Sequence, residues 1–184
     1  NVKEGGVAFG NDPLMSARVV AACRKATRKP IITKLSPNQT DIAANARGCL
    51  EAGSDAFSVI NTLMGMAIDV DSRTPVIGNN QGGLSGPAIK PIALLKVHQV
   101  YQVCREHGVP IIGQGGMQNA RDALEFLIAG ANAVQVGTAN FRDPGVSGRL
   151  VGDLALWCER HGVARVADLT GTLKTRPRPE KAYA

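Results

Sequence analysis

Two stretches decide the fold: Gly48 to Ile60, GCLEAGSDAFSVI, and Glu125 to Gly137, EFLIAGANAVQVG. In each, a segment of helical period runs into Ala-Gly, turns, and enters a short apolar run. A glycine at a helix C-terminus followed by a buried strand is the αβ connection of a repeated unit. Working outward, four apolar, β-branched runs bounded by Gly, Pro, Asn or Thr read as buried parallel strands, over 30–35, 56–60, 109–112 and 133–136. Helical periods fill the intervals at 41–52, 91–107 and 119–129, with Thr40 or Asp41 and Asn119 placed as N-caps. The chain therefore holds about four βα units. A closed (β/α)8 barrel takes eight in about 250 residues, so the expectation is an α/β chain supplying roughly half of such a barrel. An open, doubly wound sheet is the alternative.

Composition agrees with one core and excludes several classes of function. With 184 residues and 44% hydrophobic content the chain can build one globular domain or part of one. Abundant glycine, at 21 residues, with only 4% aromatics suits tight βα turns better than an aromatic-rich sandwich. No apolar run approaches the roughly 18 to 20 residues that span a bilayer. Asn1 to Gly10 shows neither the basic nor the apolar region of a signal peptide, and a first residue other than Met reads as a truncated start. Cys23, Cys49, Cys104 and Cys158 are scattered and form no CxxC pair, which argues against a zinc site or a disulfide framework and fits a reducing cytoplasm. The net charge of +6 is concentrated in Arg24 to Lys29 and Lys174 to Arg178. Without interleaved aromatics, those runs point to anionic ligands or a solvated face rather than to nucleic acid.

The chemistry is expected where the strands end. Each apolar run closes on a polar or glycine-rich group: Lys34-Leu35-Ser36, Asn61-Thr62, Gly113 to Gly116, and Gly137 to Asn140. Lys34 is the sharpest of these, because a lysine ending an apolar strand is costly to bury unless it meets an anion or a reduced cofactor; a lysine that merely snorkels to the rim is the less favoured alternative. The pairs Gly115-Gly116 and Gly137-Thr138 can present backbone N–H groups to a phosphate after two adjacent strands, where barrels often bind one. Asn61 and Thr62 suit a planar ring bearing amide and carboxylate groups. Between Asn61 and Lys90 about 30 residues, rich in glycine at 65, 78, 82, 83 and 86, separate the second strand from the next helix. A connection that long is usually functional. His98, His107 and His161 have no catalytic context and the cysteines fall on helical segments, so no general base is apparent.

Five segments together resemble one family: KLSPN (34–38), INTLMGMAID (60–69), GGLSGPAIKPIAL (82–94), IIGQGGM (111–117) and VQVGTANF (134–141). They look like class 1B dihydroorotate dehydrogenase, in order, over residues 1–174. The opening NVKEGGVAFG resembles the catalytic-loop motif SCPNVK entered at its Asn, which places the base cysteine two residues before Asn1 and assigns no catalytic residue within the chain.

The resemblance implies the C-terminal half of an FMN-binding TIM barrel over 1–174, with a basic, disordered tail at 175–184. It implies an oxidoreductase of pyrimidine biosynthesis that oxidises dihydroorotate to orotate, a cysteine taking the C5 proton while hydride leaves C6 for the flavin N5. Lys34 would meet the flavin's N1/C2 edge, and Ile60 would pack and hydrogen-bond through its backbone beside the ring. Gly86, Gly115, Gly116, Gly137 and Thr138 would hold the ribityl phosphate, while Asn1, Asn61 and Thr62 would contact orotate. It further implies a homodimeric core, a cytoplasmic location, and a separate subunit carrying FAD and an iron–sulfur cluster that passes electrons to NAD. The chain lacks the cysteine cluster such a centre needs. Two alternatives stay open: a dihydropyrimidine dehydrogenase-type barrel, against which the LSG of GGLSG weighs, and a non-catalytic half-barrel lacking the base.

Overall fold

The computed structural model describes residues 7–176. Asn1 and most of the basic tail therefore lie outside the described residues. The chain opens with two helices, α1 (Val7–Asn11) and α2 (Pro13–Ala26), the second capped by the Asp12 carboxylate, which accepts the Met15 N–H at 2.8 Å. Then follow β1 (Ile32–Leu35), α3 (Ile42–Glu51) and β2 (Ala56–Val59). The peptide after β2, Val59–Ile60, is cis. An excursion holds four short strands, β3 (Leu63–Gly65), β4 (Ile68–Asp69), β5 (Thr74–Pro75) and β6 (Gly82–Leu84). A 3-10 turn at Pro87–Ile89 leads into α4 (Lys90–Cys104), β7 (Ile111–Gln114), α5 (Ala120–Ala129) and β8 (Ala133–Gln135). The short α6 (Ala139–Arg142) and the long α7 (Val146–Arg160) complete the order.

The principal sheet runs β1-β2-β7-β8, every neighbour parallel. Strand order follows chain order without reversing, so the sheet is wound in one direction only. A doubly wound sheet would switch direction midway and put helices on both faces. Here one face is buried: Leu35, Phe57, Val59 and Ile111 form a single cluster with Ile42, Ala46 and Cys49 of α3, Ala93, Val97 and Val100 of α4, and Phe126 of α5. Alternation sends Ile32, Lys34, Ala133 and Gln135 to the other face, where they are exposed. A singly wound arc of four strands with helices outside is half of a (β/α)8 barrel, and the uncovered face is the barrel's inner one.

The two stretches that first signalled the fold do the same thing twice. Gly53 and Gly130, at φ 105° and 129°, stop α3 and α5 in a backbone region closed to side chains. Ser54 and Ala131 each donate an N–H back to the helix, to Cys49 and Phe126 at 3.0 Å. The residue just before each strand then reaches across to its neighbour: Asp55 accepts the Ile31 N–H at 2.6 Å, and Asn132 accepts the Ile111 N–H at 2.9 Å. Arg24 completes the first of these junctions, donating to the Gly53 carbonyl at 2.8 Å and pairing with Asp55. At least one member of the basic run at 24–29 is thus a structural brace rather than a ligand contact.

The stretch from Asn61 to Lys90 is not an unstructured loop. β3 pairs antiparallel with β6, and β4 with β5, so the chain leaves the end of β2 as a nested ribbon and returns to it. Strands of two or three residues containing Gly and Pro carry no period-two signal, which is why the sequence shows only a long connection. Asn38 fastens the ribbon's base, accepting the Met64 N–H at 2.8 Å and donating to the Thr62 carbonyl at 3.0 Å.

Candidate functional site at the carboxyl ends of the strands

A cavity of about 270 Å³, partly open, lies at the carboxyl ends of the four parallel strands. That end of a barrel is where its enzymes place their working groups. The structure brings Lys34, Ile60, Asn61, Thr62, Gly86, Gly115, Gly116, Gly137 and Thr138 to this one wall, which is every candidate position within the described residues. It also adds residues with no role expected from their place in the chain: Ser85, Gln114, Gln118, Gln135 and Arg142.

Each is positioned by an identifiable element. Lys34 is the penultimate residue of β1, on the uncovered face and exposed. Asn61 follows β2 and is tied back to β1 by its N–H, which donates to the Leu35 carbonyl at 2.9 Å. The Ile60 backbone, expected to hydrogen-bond beside a ring, is partly engaged within the chain. Its N–H donates to the Gln114 carbonyl at 3.1 Å and its own carbonyl accepts the Gln114 side-chain amide at 2.9 Å. What Ile60 offers is its side chain and the carbonyl's second lone pair.

The glycines behave in two different ways. Gly116 has φ 77°, and a Cβ there would lie 2.6 Å from the Gly86 carbonyl oxygen and 2.9 Å from the Lys90 nitrogen, so the two loop segments touch through it. Gly137 is the opposite case, since a Cβ there meets nothing within 4 Å. The first builds the wall of a cradle, and the second leaves room inside it. Thr138 closes the rim by donating its hydroxyl to Ser85 Oγ at 2.8 Å, bridging α6 to the end of the ribbon.

Behind the wall lies a charged clamp. Lys90 Nζ donates to Asp122 at 2.6 Å and Glu125 at 2.8 Å, and Asp122 also accepts the Gln118 N–H at 2.8 Å. The hydrogen bonds from Asp122 and then Glu125 push the Lys90 ammonium above its usual range. The clamp locks the start of α4 to the start of α5, the two helices that carry the cradle loops.

Other groups stand apart. Cys49 and Cys104 are buried in the helix layer, where desolvation pushes their thiols up to about 11 and about 12. Neither is a thiolate at neutral pH. His98 lies 3.3 Å from the Ala129 carbonyl, and His161 stacks on Trp157 with ring centroids 4.1 Å apart. A larger cavity, about 630 Å³, runs between α5 and α7. It contains none of the strand-end groups, so the smaller cavity is the better candidate. Among the described residues no cluster of His, Cys, Asp and Glu is arranged to hold a metal, and no helix is long and apolar enough to cross a membrane.

The chain is similar over 174 residues to proteins named dihydroorotate dehydrogenase B (NAD(+)), catalytic subunit. It is 58% identical to that of Pelobacter propionicus, 55% to that of Trichlorobacter lovleyi and 53% to that of Geobacter sulfurreducens. Each alignment covers 95% of this chain and 56% of the relative, so the chain spans about half the length of the curated relatives it matches. Among solved structures, the crystal structure of DHODH in complex with ferulenol from Eimeria tenella superposes with a TM-score of 0.72 at 26% identity, over 88% of this chain and 48% of that one. The family model for dihydroorotate dehydrogenase matches residues 1–156. With that match over most of its length and a half-barrel that overlays a solved member, the chain belongs to the dihydroorotate dehydrogenase family.

Proposed function

We propose that this chain forms the FMN-binding half of a barrel that oxidises dihydroorotate to orotate in pyrimidine biosynthesis. The observation that carries the reading is the charge and shape of the cavity: among the described residues its ionisable lining groups are Lys34 and Arg142 and no carboxylate faces it, and open space waits at Gly137. Those features suit a ligand with an electron-rich ring at one end and a phosphate at the other. FMN supplies a ring that accepts hydride. The protein's own residues then have separable tasks. Lys34 stabilises negative charge gathering on the ring edge, as a fixed cation does most effectively in a site shielded from water. Gly86, Gly115, Gly116, Gly137 and Thr138 receive the phosphate through backbone N–H groups. Asn61 and Thr62 hold the substrate ring, together with Asn1, and Ile60 packs beside the flavin.

Proton removal from the substrate requires a base within hydrogen-bond reach, and among the described residues the cavity wall offers neither a thiol, an imidazole nor a carboxylate. The base is a cysteine of the complete barrel outside this chain. The relatives are named catalytic subunits, which supports a partner subunit carrying FAD and an iron–sulfur cluster that delivers electrons to NAD, around a homodimeric, cytoplasmic core. The described part of 1–174, from residue 7 on, belongs to the half-barrel. Anaerobic mixing of the complete barrel with dihydroorotate tests the assignment. Lys34→Ala is expected to slow flavin reduction by about a hundredfold with FMN retained. Asn61→Ala should weaken orotate binding more than FMN retention. Reduction at an unchanged rate in the lysine variant would remove Lys34 from the site.

A further inference from the structure

Arg142 ends α6 and lines the cavity beside Gly116, Gln118 and Thr138, at the edge of the sheet opposite Lys34. Among the described residues it makes no ion pair or side-chain hydrogen bond. The carboxylates around it are occupied. Asp143, next in the chain, pairs with Arg149 and accepts the Gly145 N–H at 3.1 Å. Asp122, under Gln118, is held by Lys90 at 2.6 Å. A second hollow, lined by Gln118, Ala139, Asp143 and Val146, meets the first at Arg142, so the guanidinium has room to swing over the cradle.

The cavity thus carries one cation over β1 and one beyond β8. Three strand spacings separate those strands, about 14 Å at roughly 4.8 Å each. That span suits a ring at one end and an anion on a short chain at the other. A guanidinium presents a rigid, planar fork of donors that matches two oxygens of a phosphate, whereas backbone N–H groups alone carry no full charge.

Resting on the FMN reading, we infer that Arg142 is a phosphate-binding residue of the cavity, taking two oxygens of a terminal phosphate monoester and making the site select the phosphorylated flavin over riboflavin. The selection strengthens as pH rises through about 6, where the phosphate takes its second negative charge.

The purified chain, titrated with FMN and with riboflavin by flavin fluorescence, tests this in wild type, Arg142→Gln and Arg142→Lys. The glutamine variant is expected to lose at least about tenfold in FMN affinity, or about 1.4 kcal/mol, with riboflavin affinity unchanged. The lysine variant should recover part of the loss, since it restores the charge but not the fork. Equal weakening of both flavins, or of neither, overturns the inference. If the wild-type chain binds neither flavin, the functional reading fails instead, and inorganic phosphate followed by NMR decides the inference alone. Phosphate-dependent shifts of the Arg142 Nε–H and Gly116 N–H signals, absent in Arg142→Gln, support it; no shift overturns it.

Discussion

Gln114 and Ile60 hold one another from both directions across the cavity floor: the Ile60 N–H donates to the Gln114 carbonyl at 3.1 Å, and the Gln114 side-chain amide donates to the Ile60 carbonyl at 2.9 Å. The pair extends the β2–β7 ladder one step beyond the last paired residues, Val59 and Gly113, to the point where the site begins. Ile60 is buried, so its carbonyl has no ready replacement partner.

Gln114→Met keeps the side chain's length but removes its donor. Leaving a buried carbonyl unsatisfied costs about 1–3 kcal/mol. The urea midpoint should fall accordingly, and amide exchange at Ile60 and Asn61 should speed up. A midpoint equal to wild type would show that the side-chain bond contributes nothing.

Asp55 offers a pH test with a built-in comparison. The hydrogen bond from the Ile31 N–H, followed by the nearby Arg24 guanidinium, holds its carboxyl below the ordinary value of 3.8. A depressed folded pKa gives stability that is present above the unfolded value and lost as pH falls through the folded one. Asn132 fills the equivalent place before β8 with the same backbone bond and no charge to titrate. Asp55→Asn should therefore fold at neutral pH with a small loss and show a flatter decline of urea midpoint below pH about 4. An acid limb as steep as wild type would mean that other carboxylates carry it.

Gly137→Val separates fold from ligand space. A Cβ at this position meets no protein atom within 4 Å, so thermal unfolding of the free chain should be unchanged. If the empty space belongs to FMN, affinity should fall by at least about tenfold. Loss of stability without loss of flavin binding would reverse the interpretation.

Much of the half-barrel was legible because buried parallel strands are nearly continuous apolar runs and because Gly53 and Gly130 mark their helix stops. Asp41 and Asn119 cap as their positions suggest, accepting the Ala44 and Asp122 N–H groups. Strand ends drifted for a physical reason. Gly113 and Gln114 are not apolar, yet they pair with Val134 and Gln135, so β7 continues past the hydrophobic run, while Val109 and Pro110 precede it. The flanking helices α2 and α7 continue the strand-helix alternation at its two ends, before β1 and after β8, where a strand on only one side marks them, and the ribbon's strands are too short to show a period. At the site, strand-end glycines and Lys34 announce themselves by position. Arg142 and Asn38 do not, because their places depend on how α6 and the ribbon fold back over the sheet.

Whether the cavity at the strand ends takes a flavin is read most directly by hydrogen exchange on this chain with and without FMN. A flavin in the cradle slows exchange at Gly115, Gly116, Gly137 and Thr138 and leaves the amides lining the α5–α7 cavity unchanged. Protection confined to the α5–α7 cavity, or none at the four cradle amides at saturating FMN, would contradict it.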